Sequence, residues 1–189
     1  SVAKISECDA QSFSNILWAF ATLVVQPGPM IHSISEASLS KLHTFDAQEL
    51  ANTAWSLARL AFPDRPLCDA IAALSMTQLG DFASQNLTNT AWAYATMGFR
   101  NKPLMEAISL AAMKYCTQLI PQEVANLAWS VAKISLLDEH FMHAISSTAI
   151  AIIGEFITQD LSNTAWACAT LEYVNTTLLA AISAQSSQK

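Results

Sequence analysis

The chain has 189 residues, of which 52% are hydrophobic and 13% are charged. This composition suffices for one sizeable domain with its own core, and it argues against intrinsic disorder. The formal net charge of −6 supplies no general attraction to phosphate, which argues mildly against nucleic acid as a partner. Only 4 glycines and 6 prolines are present, so the sequence favours helices over a loop-rich β fold. No apolar run is long enough to predict a membrane span.

A repeat runs along the whole chain. Asparagine stands at 15, 52 and 89, which gives a period of 37, and glutamine, tryptophan, alanine and isoleucine recur at the same spacing. We number positions within a repeat from the glutamine, so that the asparagine is position 5 and the tryptophan position 8. The repeat signature is then Trp18, Trp55, Trp92, Trp129 and Trp166, with Asn15, Asn52, Asn89, Asn126 and Asn163. Five columns in phase over the whole chain predict a repeat architecture.

In chain order, residues 1–10 align with the end of a repeat, four full repeats follow, and a partial repeat closes the chain. The full repeats are 11–47, 48–84, 85–121 and 122–158, and the partial repeat is 159–189. We expect them to form a single repeat domain over 1–189. Because neither end reads as the polar cap that a solenoid needs, we expect further repeats of the same chain beyond both ends, or a partner that covers them.

Each repeat predicts two helices. Helix A is expected to begin at the glutamine, with Ser84 and Thr158 as N-cap candidates and Pro121 in a first turn. At about 100° per residue, positions 3, 4, 7, 8, 11, 14 and 15 form an apolar face, and positions 1, 2, 5, 9 and 12 form a narrow polar strip. Helix B is expected to open near position 19, at Pro29, Pro66 or Pro103. Helix pairs at a fixed period predict an all-α fold, an α-solenoid of stacked helix-turn-helix repeats.

The tryptophan and asparagine columns each have two interpretations. A bulky indole beside small alanines suits packing between helices, and an alternative is a ladder of base-stacking platforms. Asparagine within a helix needs a compensating hydrogen bond, either in a ladder between neighbouring repeats or to a ligand. Because the asparagine and glutamine columns do not vary, they cannot encode a variable sequence, and they would touch only something uniform, such as a nucleic-acid backbone.

Positions 2 and 12 and the turn at positions 16–18 do vary. Position 12 holds Thr22, Arg59, Thr96, Lys133 and Thr170, and position 2 holds Ser12, Glu49, Asn86, Glu123 and Asp160. Any specificity is expected to lie in these positions. The charges there are mixed, so the alternative is an ordinary solvated face.

The remaining chemistry-bearing residues predict neither a metal site nor catalysis. Each of the 4 cysteines fills a column that is otherwise apolar, which indicates small core hydrophobes in a reducing compartment. His140 and His143 have helical spacing and could share a metal, but they fall at an exposed helix start. Because no nucleophile motif, phosphate loop or carboxylate pair occurs, we expect no enzyme, no cofactor and no small-molecule substrate.

The core pattern QxLxNTAWAxAxL, as in residues 48–60, 85–97 and 159–171, resembles the helical repeats of octotricopeptide and heptatricopeptide proteins of algal and protist organelles. The period matches the heptatricopeptide type better, and the resemblance covers essentially the whole chain. It implies an α-solenoid in a mitochondrion or plastid that binds organellar RNA for transcript processing, stability, translation or ribosomal RNA assembly.

Two functions from different classes remain open. In the first, single-stranded RNA binds along the polar strip of helix A and the nearby turns. The nine candidate residues are Asn52, Asn89, Asn126, Gln85, Arg59 and Lys133 in helix A, and Arg65, Arg100 and Lys102 in the turns. In the second, the repeats are a scaffold that binds another protein within a larger organellar complex. The resemblance favours RNA, and the acidic balance favours protein.

Overall fold

The computed structural model describes residues 7–25 and 28–187, and these residues form helices and turns without any strand. The described α-helices alternate between two layers. Layer A contains α1 (Ala10–Leu23), α3 (Ala47–Arg59), α5 (Ser84–Met97), α7 (Pro121–Lys133) and α9 (Thr158–Thr170). Layer B contains α2 (Met30–Lys41), α4 (Arg65–Gln78), α6 (Lys102–Ala112), α8 (Glu139–Ala151) and α10 (Thr176–Ser186). Short 3₁₀ turns follow four of the B helices: Leu42–Thr44, Leu79–Asp81, Met113–Tyr115 and Ile153–Glu155.

Each A helix packs mainly on the A helices of the neighbouring pairs, and each B helix packs on its own A helix as well as on neighbouring B helices, which makes the fold an α-solenoid. The contacts between successive A helices are the most extensive in the molecule, and those between successive B helices are smaller. Because the A helices pack more extensively on one another than the B helices do, we infer that the stack curves toward layer A, and we place the A helices on the inner side. None of the described helices is long and apolar enough to cross a membrane.

The core lies between the two layers. Its largest fully buried side chains are aromatic: Tyr94, Phe13, Phe45, Phe82, Phe141 and Phe156. The Tyr94 hydroxyl donates a hydrogen bond to the Cys68 carbonyl oxygen, and burial raises the pKa of that phenol. Burial, with smaller contributions from Asp64 and Asp69, also raises the pKa of the Cys68 thiol to about 12. These groups are therefore neutral core components at physiological pH.

Small residues let the A helices approach one another. Position 9 is fully buried in four A helices, at Ser56, Ala93, Ser130 and Ala167. Its equivalent in α1, Ala19, is exposed, and so is Ala169 at position 11 of α9. Position 9 therefore faces the preceding repeat and position 11 the following one. The assignment of position 9 to the polar strip is wrong, because a helix with a neighbour on each side buries both flanks.

The A helices begin one residue earlier than the sequence suggests. Ser84 and Thr158 are the first helical residues, not N-caps, and the N-cap residues are Asp46, Ala83, Ile120 and Ile157. In these four helices the side chain at position 2 accepts a hydrogen bond from the N-cap backbone N–H. These bonds measure 2.8 Å at Glu49, 3.0 Å at Asn86, 3.2 Å at Glu123 and 3.0 Å at Asp160. Position 2 varies among residues that can all cap a helix, so its variation does not indicate a specificity site.

Four of the five described B helices are capped at position 17, in the turn between the layers. Each cap side chain accepts a hydrogen bond from the backbone N–H three residues later. The caps are Asp64 (3.0 Å), Asn101 (3.1 Å), Asp138 (3.0 Å) and Asn175 (3.0 Å). Two of the prolines expected at the helix start, Pro66 and Pro103, follow two residues after a cap, and Pro29 is itself the N-cap of α2.

Every A helix ends in a left-handed residue at position 14. These are Val24 (φ 55°), Ala61 (φ 51°), Gly98 (φ 73°), Ser135 (φ 59°) and Glu172 (φ 53°). The next backbone N–H bonds back to the carbonyl five residues earlier, as in Phe99 to Tyr94 at 3.0 Å. Such bonds satisfy carbonyls that a helix end leaves without partners. Position 14 therefore lies where the chain turns at the end of helix A, and it is not part of the apolar face.

Replacing Gly98 by Ala should lower the free energy of unfolding by about 1–2 kcal/mol, because a left-handed backbone is costly for a residue with a Cβ. An added Cβ would meet no atom within 4 Å, so the effect isolates the backbone conformation. Gly80→Ala is the matched control, since its Cβ also meets nothing and its φ is not positive. Urea denaturation of both variants measures the difference. Equal stabilities would contradict the conformational explanation.

A hydrogen-bond ladder joins consecutive repeats in layer B. The side chain at position 31 donates to a carbonyl oxygen near the end of the preceding repeat. The bonds are Lys41 Nζ to Cys8 O (2.7 Å), Gln78 Nε2 to Phe45 O (3.1 Å) and Tyr115 OH to Phe82 O (3.1 Å). Three different donor types make the same connection, which explains why no single residue marks this position in the sequence.

Candidate functional site

Four positions of each A helix line up along the inner side of the solenoid. Positions 1, 5, 8 and 12 are separated by four, three and four residues, so they share one side of a helix. Their order is amide, amide, indole, and then threonine or a cation. Between position 1 and position 12 the helix rises by about 16 Å. We call the residues at these four positions, in all five A helices, the inner stripe.

The asparagine column occupies the centre of the amide half of the inner stripe. Asn52, Asn89, Asn126 and Asn163 are half-buried, and Asn15 is exposed. Within the described part of the chain, their side-chain amides form no hydrogen bond with protein. Neighbouring serine side chains bond to the backbone carbonyl oxygens of these asparagines and not to their amides. Ser56 Oγ donates to Asn52 O at 2.7 Å, and Ser130 Oγ donates to Asn126 O at 2.6 Å. The predicted ladder of asparagines between repeats is therefore wrong, and the ladder lies in layer B instead.

A groove separates the amide halves of α5 and α7. It is a cavity of about 410 Å³ whose lining includes Gln85, Asn89, Gln122 and Asn126. Glu123 also lines it, but both of its carboxylate oxygens have partners. Oε1 accepts from Ser84 Oγ at 3.0 Å and Oε2 from the Ile120 N–H at 3.2 Å. The groove thus presents neutral amides, with its carboxylate already engaged in helix capping and in a bond between repeats.

The indoles at position 8 belong both to the core and to the surface. Trp55, Trp92 and Trp129 are half-buried against the core, whereas Trp18 is 47% exposed and Trp166 is 42% exposed. Trp55 and Trp92 lie with ring centroids 6.5 Å apart, and Trp129 and Trp166 lie 6.1 Å apart. The column packs between helices, as expected, and still leaves indole surface along the inner stripe.

Two of the candidate cations lie on the inner stripe. The Arg59 guanidinium is 5.6 Å from the centre of the Trp55 ring, and the Lys133 ammonium is 5.9 Å from that of Trp129. Both side chains are exposed. Neither is in an ion pair within the described residues, so each cation rests on an aromatic face without a carboxylate partner.

The other three candidate cations lie elsewhere, at the edge formed by the turns between layers. Arg65 pairs with Asp69 at 3.6 Å and Lys102 with Glu106 at 3.5 Å, both between exposed residues of one helix. Arg100 lines two cavities at this edge, of about 470 Å³ and 400 Å³. The structure therefore gathers Asn52, Asn89, Asn126, Gln85, Arg59 and Lys133 on one surface and places Arg65, Arg100 and Lys102 on another.

Sequence reasoning did not single out Gln122, which completes the groove beside Asn126. The sequence feature that could have identified Gln122 is its place in the invariant glutamine column. His140 and His143 are exposed on α8. Across residues 7–25 and 28–187, no group of three histidine, cysteine or acidic side chains is placed to hold a metal ion.

Comparison with known proteins adds one finding. Residues 1–137 match the model of a protein family described as RESC6, RNA-editing substrate-binding complex 6 protein. The matched segment extends from before α1 through α7 and so includes the groove and both inner-stripe cations. No curated protein matches the chain. Because the family match covers more than half of the sequence, the chain belongs to the RNA-editing substrate-binding complex 6 (RESC6) family.

Proposed function

We propose that the chain is a non-catalytic helical-repeat module that binds single-stranded RNA along the inner stripe, as a subunit of a larger organellar assembly. The family name, which refers to an RNA-editing substrate-binding complex, supports a role beside RNA. We also propose kinship with the octotricopeptide and heptatricopeptide repeats, on the sequence pattern described above. The proposal requires no cofactor and no catalytic residue.

The observation that carries the proposal is the amide pair Asn89 and Asn126 in the groove between α5 and α7. A half-buried amide that has no protein partner is left with unmade hydrogen bonds, unless a ligand or water makes them. Each asparagine side chain can donate two hydrogen bonds and accept two. Ribose hydroxyls and phosphate oxygens supply both kinds of partner, and they are the same in every nucleotide. An invariant column therefore suits the invariant part of RNA.

Electrostatics restricts how the RNA binds. The chain carries a net charge of −6, and the inner stripe of the described repeats contributes two cations, Arg59 and Lys133. If both contact phosphate, the logarithm of the affinity should fall with the logarithm of salt concentration with a slope of about −1.4. Most of the binding free energy must then come from amide hydrogen bonds and from bases stacked on exposed indole surface.

The double variant Asn89→Leu, Asn126→Leu tests this proposal. Leucine has a similar size and favours helix, so the fold should persist while the amides are lost. Each lost hydrogen bond should contribute about 0.5–1.5 kcal/mol, so affinity for single-stranded RNA should fall roughly 5- to 150-fold. Fluorescence anisotropy with labelled RNA at low salt measures the affinity, and circular dichroism verifies the fold.

Gln118→Leu is the matched control, because Gln118 is an exposed amide located after the end of α6, away from the inner stripe. It should leave the affinity unchanged. The proposal fails if the wild-type chain does not bind single-stranded RNA at low salt, or if the folded double variant binds as tightly as the control.

A second candidate function is a protein scaffold, and one observation favours it. An apolar cavity of about 440 Å³ lies between α8 and the segment that follows the 3₁₀ turn Met113–Tyr115, lined by Cys116, Thr117, Leu119, Ala144, Ser147, Thr148, Ala151 and Ile152. A concave apolar surface with few polar groups suits an aliphatic or aromatic side chain of another protein. If the wild-type chain does not bind RNA in the titration above, that result would favour the scaffold function instead.

A further inference from the structure

The inner stripe has a period of two repeats, although the sequence repeat has a period of one. Position 12 alternates along the chain between threonine and a cation: Thr22, Arg59, Thr96, Lys133 and Thr170. The amide and indole positions do not alternate. The cations therefore divide otherwise equivalent repeats into two kinds.

The tryptophan rings show the same alternation in space. Trp55 pairs with Trp92 at 6.5 Å and an interplanar angle of 36°, and Trp129 pairs with Trp166 at 6.1 Å and 33°. No comparable ring contact joins Trp92 to Trp129 in the described part of the chain. In each pair the first tryptophan carries the cation, Arg59 at 5.6 Å and Lys133 at 5.9 Å.

Two similar clusters result, each with one cation and two tryptophans. The first consists of Arg59, Trp55 and Trp92, and the second of Lys133, Trp129 and Trp166; we call each a station. A station offers an unpaired cation for phosphate and partly exposed indole surface for a base. Adjacent packed helices lie about 8–10 Å apart, so the two stations are separated by about 16–20 Å.

We propose that single-stranded RNA binds this inner face at two equivalent stations, with a period of two repeats instead of one contact per repeat. This inference rests on the proposed function, since it assigns the phosphate and base contacts of the same RNA surface. Between stations, the amides of Gln85, Asn89, Gln122 and Asn126 contact the connecting backbone in the groove. The stations act as two linked binding sites, so an RNA that reaches both binds more tightly than one that reaches a single station.

The test uses the whole chain and two oligouridylate probes, of about 4 and about 12 nucleotides. The variants are Arg59→Gln and Lys133→Gln, which keep part of the stem over the indole, and their combination. Lys114→Gln is the matched control, because it removes an exposed cation in the 3₁₀ turn Met113–Tyr115, outside the inner stripe. With the longer probe, the slope of the logarithm of affinity against the logarithm of salt concentration should become shallower by about 0.7 in each single cation variant. In the double variant it should become shallower by about 1.4. The control should reproduce the wild-type slope.

The shorter probe reports the number of stations. Two molecules should bind per wild-type chain, and affinity for it should rise markedly when the probe is lengthened to span both stations. The two-station inference is overturned if the wild-type chain binds RNA but the cation variants keep the wild-type slope, or if Lys114→Gln reduces the slope as much as Arg59→Gln does. Absence of any RNA binding by wild type is a different result, which removes the proposed function itself.

Discussion

Replacement of Phe82 by Ala is expected to lower the free energy of unfolding by about 3–5 kcal/mol. Its ring is fully buried in the core between the layers. Its carbonyl oxygen also accepts the Tyr115 hydroxyl at 3.1 Å, so a cavity at this point would disturb a connection between repeats. Chemical denaturation followed by circular dichroism measures the loss.

Trp92→Ala provides the comparison for this prediction. The Trp92 ring is larger but only half-buried, and it should therefore lose less packing than its size suggests. A cost for Trp92→Ala well above that for Phe82→Ala would show that the inner-layer indoles, and not the phenylalanines between the layers, dominate the stability.

Replacement of Ala93 by Leu is expected to destabilise the chain by about 1–3 kcal/mol, because a larger side chain cannot fit between closely packed A helices without moving them. Ala93 has no exposed surface and faces the preceding repeat. The same change should also reduce RNA affinity, since it alters the spacing of the A helices that form the inner stripe.

Ala19→Leu is the control for this substitution, at the same repeat position. Ala19 is exposed, because α1 has no A helix on that side within the described structure. The free energy of unfolding of the Ala19→Leu variant should remain within about 0.5 kcal/mol of the wild-type value. Similar losses in both variants would mean that the side chain at position 9 acts on its own helix and not on the neighbouring repeat.

The architecture was predictable because a fixed period states how many helix pairs stack and which columns are apolar. The flanks of each A helix were less predictable. A helical projection gives the angle of Ala93, but it does not show that a second A helix covers that angle, so position 9 was assigned to the polar strip. The caps at position 17 were within reach, since Asp64 and Asn101 each stand two residues before a proline.

The candidate site was predictable in part. The columns identified Asn89 and Asn126 as unusual helix residues, but two partners were possible for them. Which one applies depends on the distance between neighbouring A helices, which no single repeat encodes. The partners of the cations were within reach of the sequence, because Arg59 stands four residues after Trp55 and Arg65 four residues before Asp69, and each contact is made within a single helix.

Photochemical cross-linking tests the central claim, that RNA lies along the inner stripe, most directly. Uridine-rich single-stranded RNA would be irradiated in complex with the chain, and the modified peptides located by mass spectrometry. The proposed function predicts adducts in α5 and α7, on the peptides that carry Trp92 and Trp129, with weaker signals elsewhere in layer A. Adducts confined to the B helices or to the edge at Arg100 and Lys102 would contradict it.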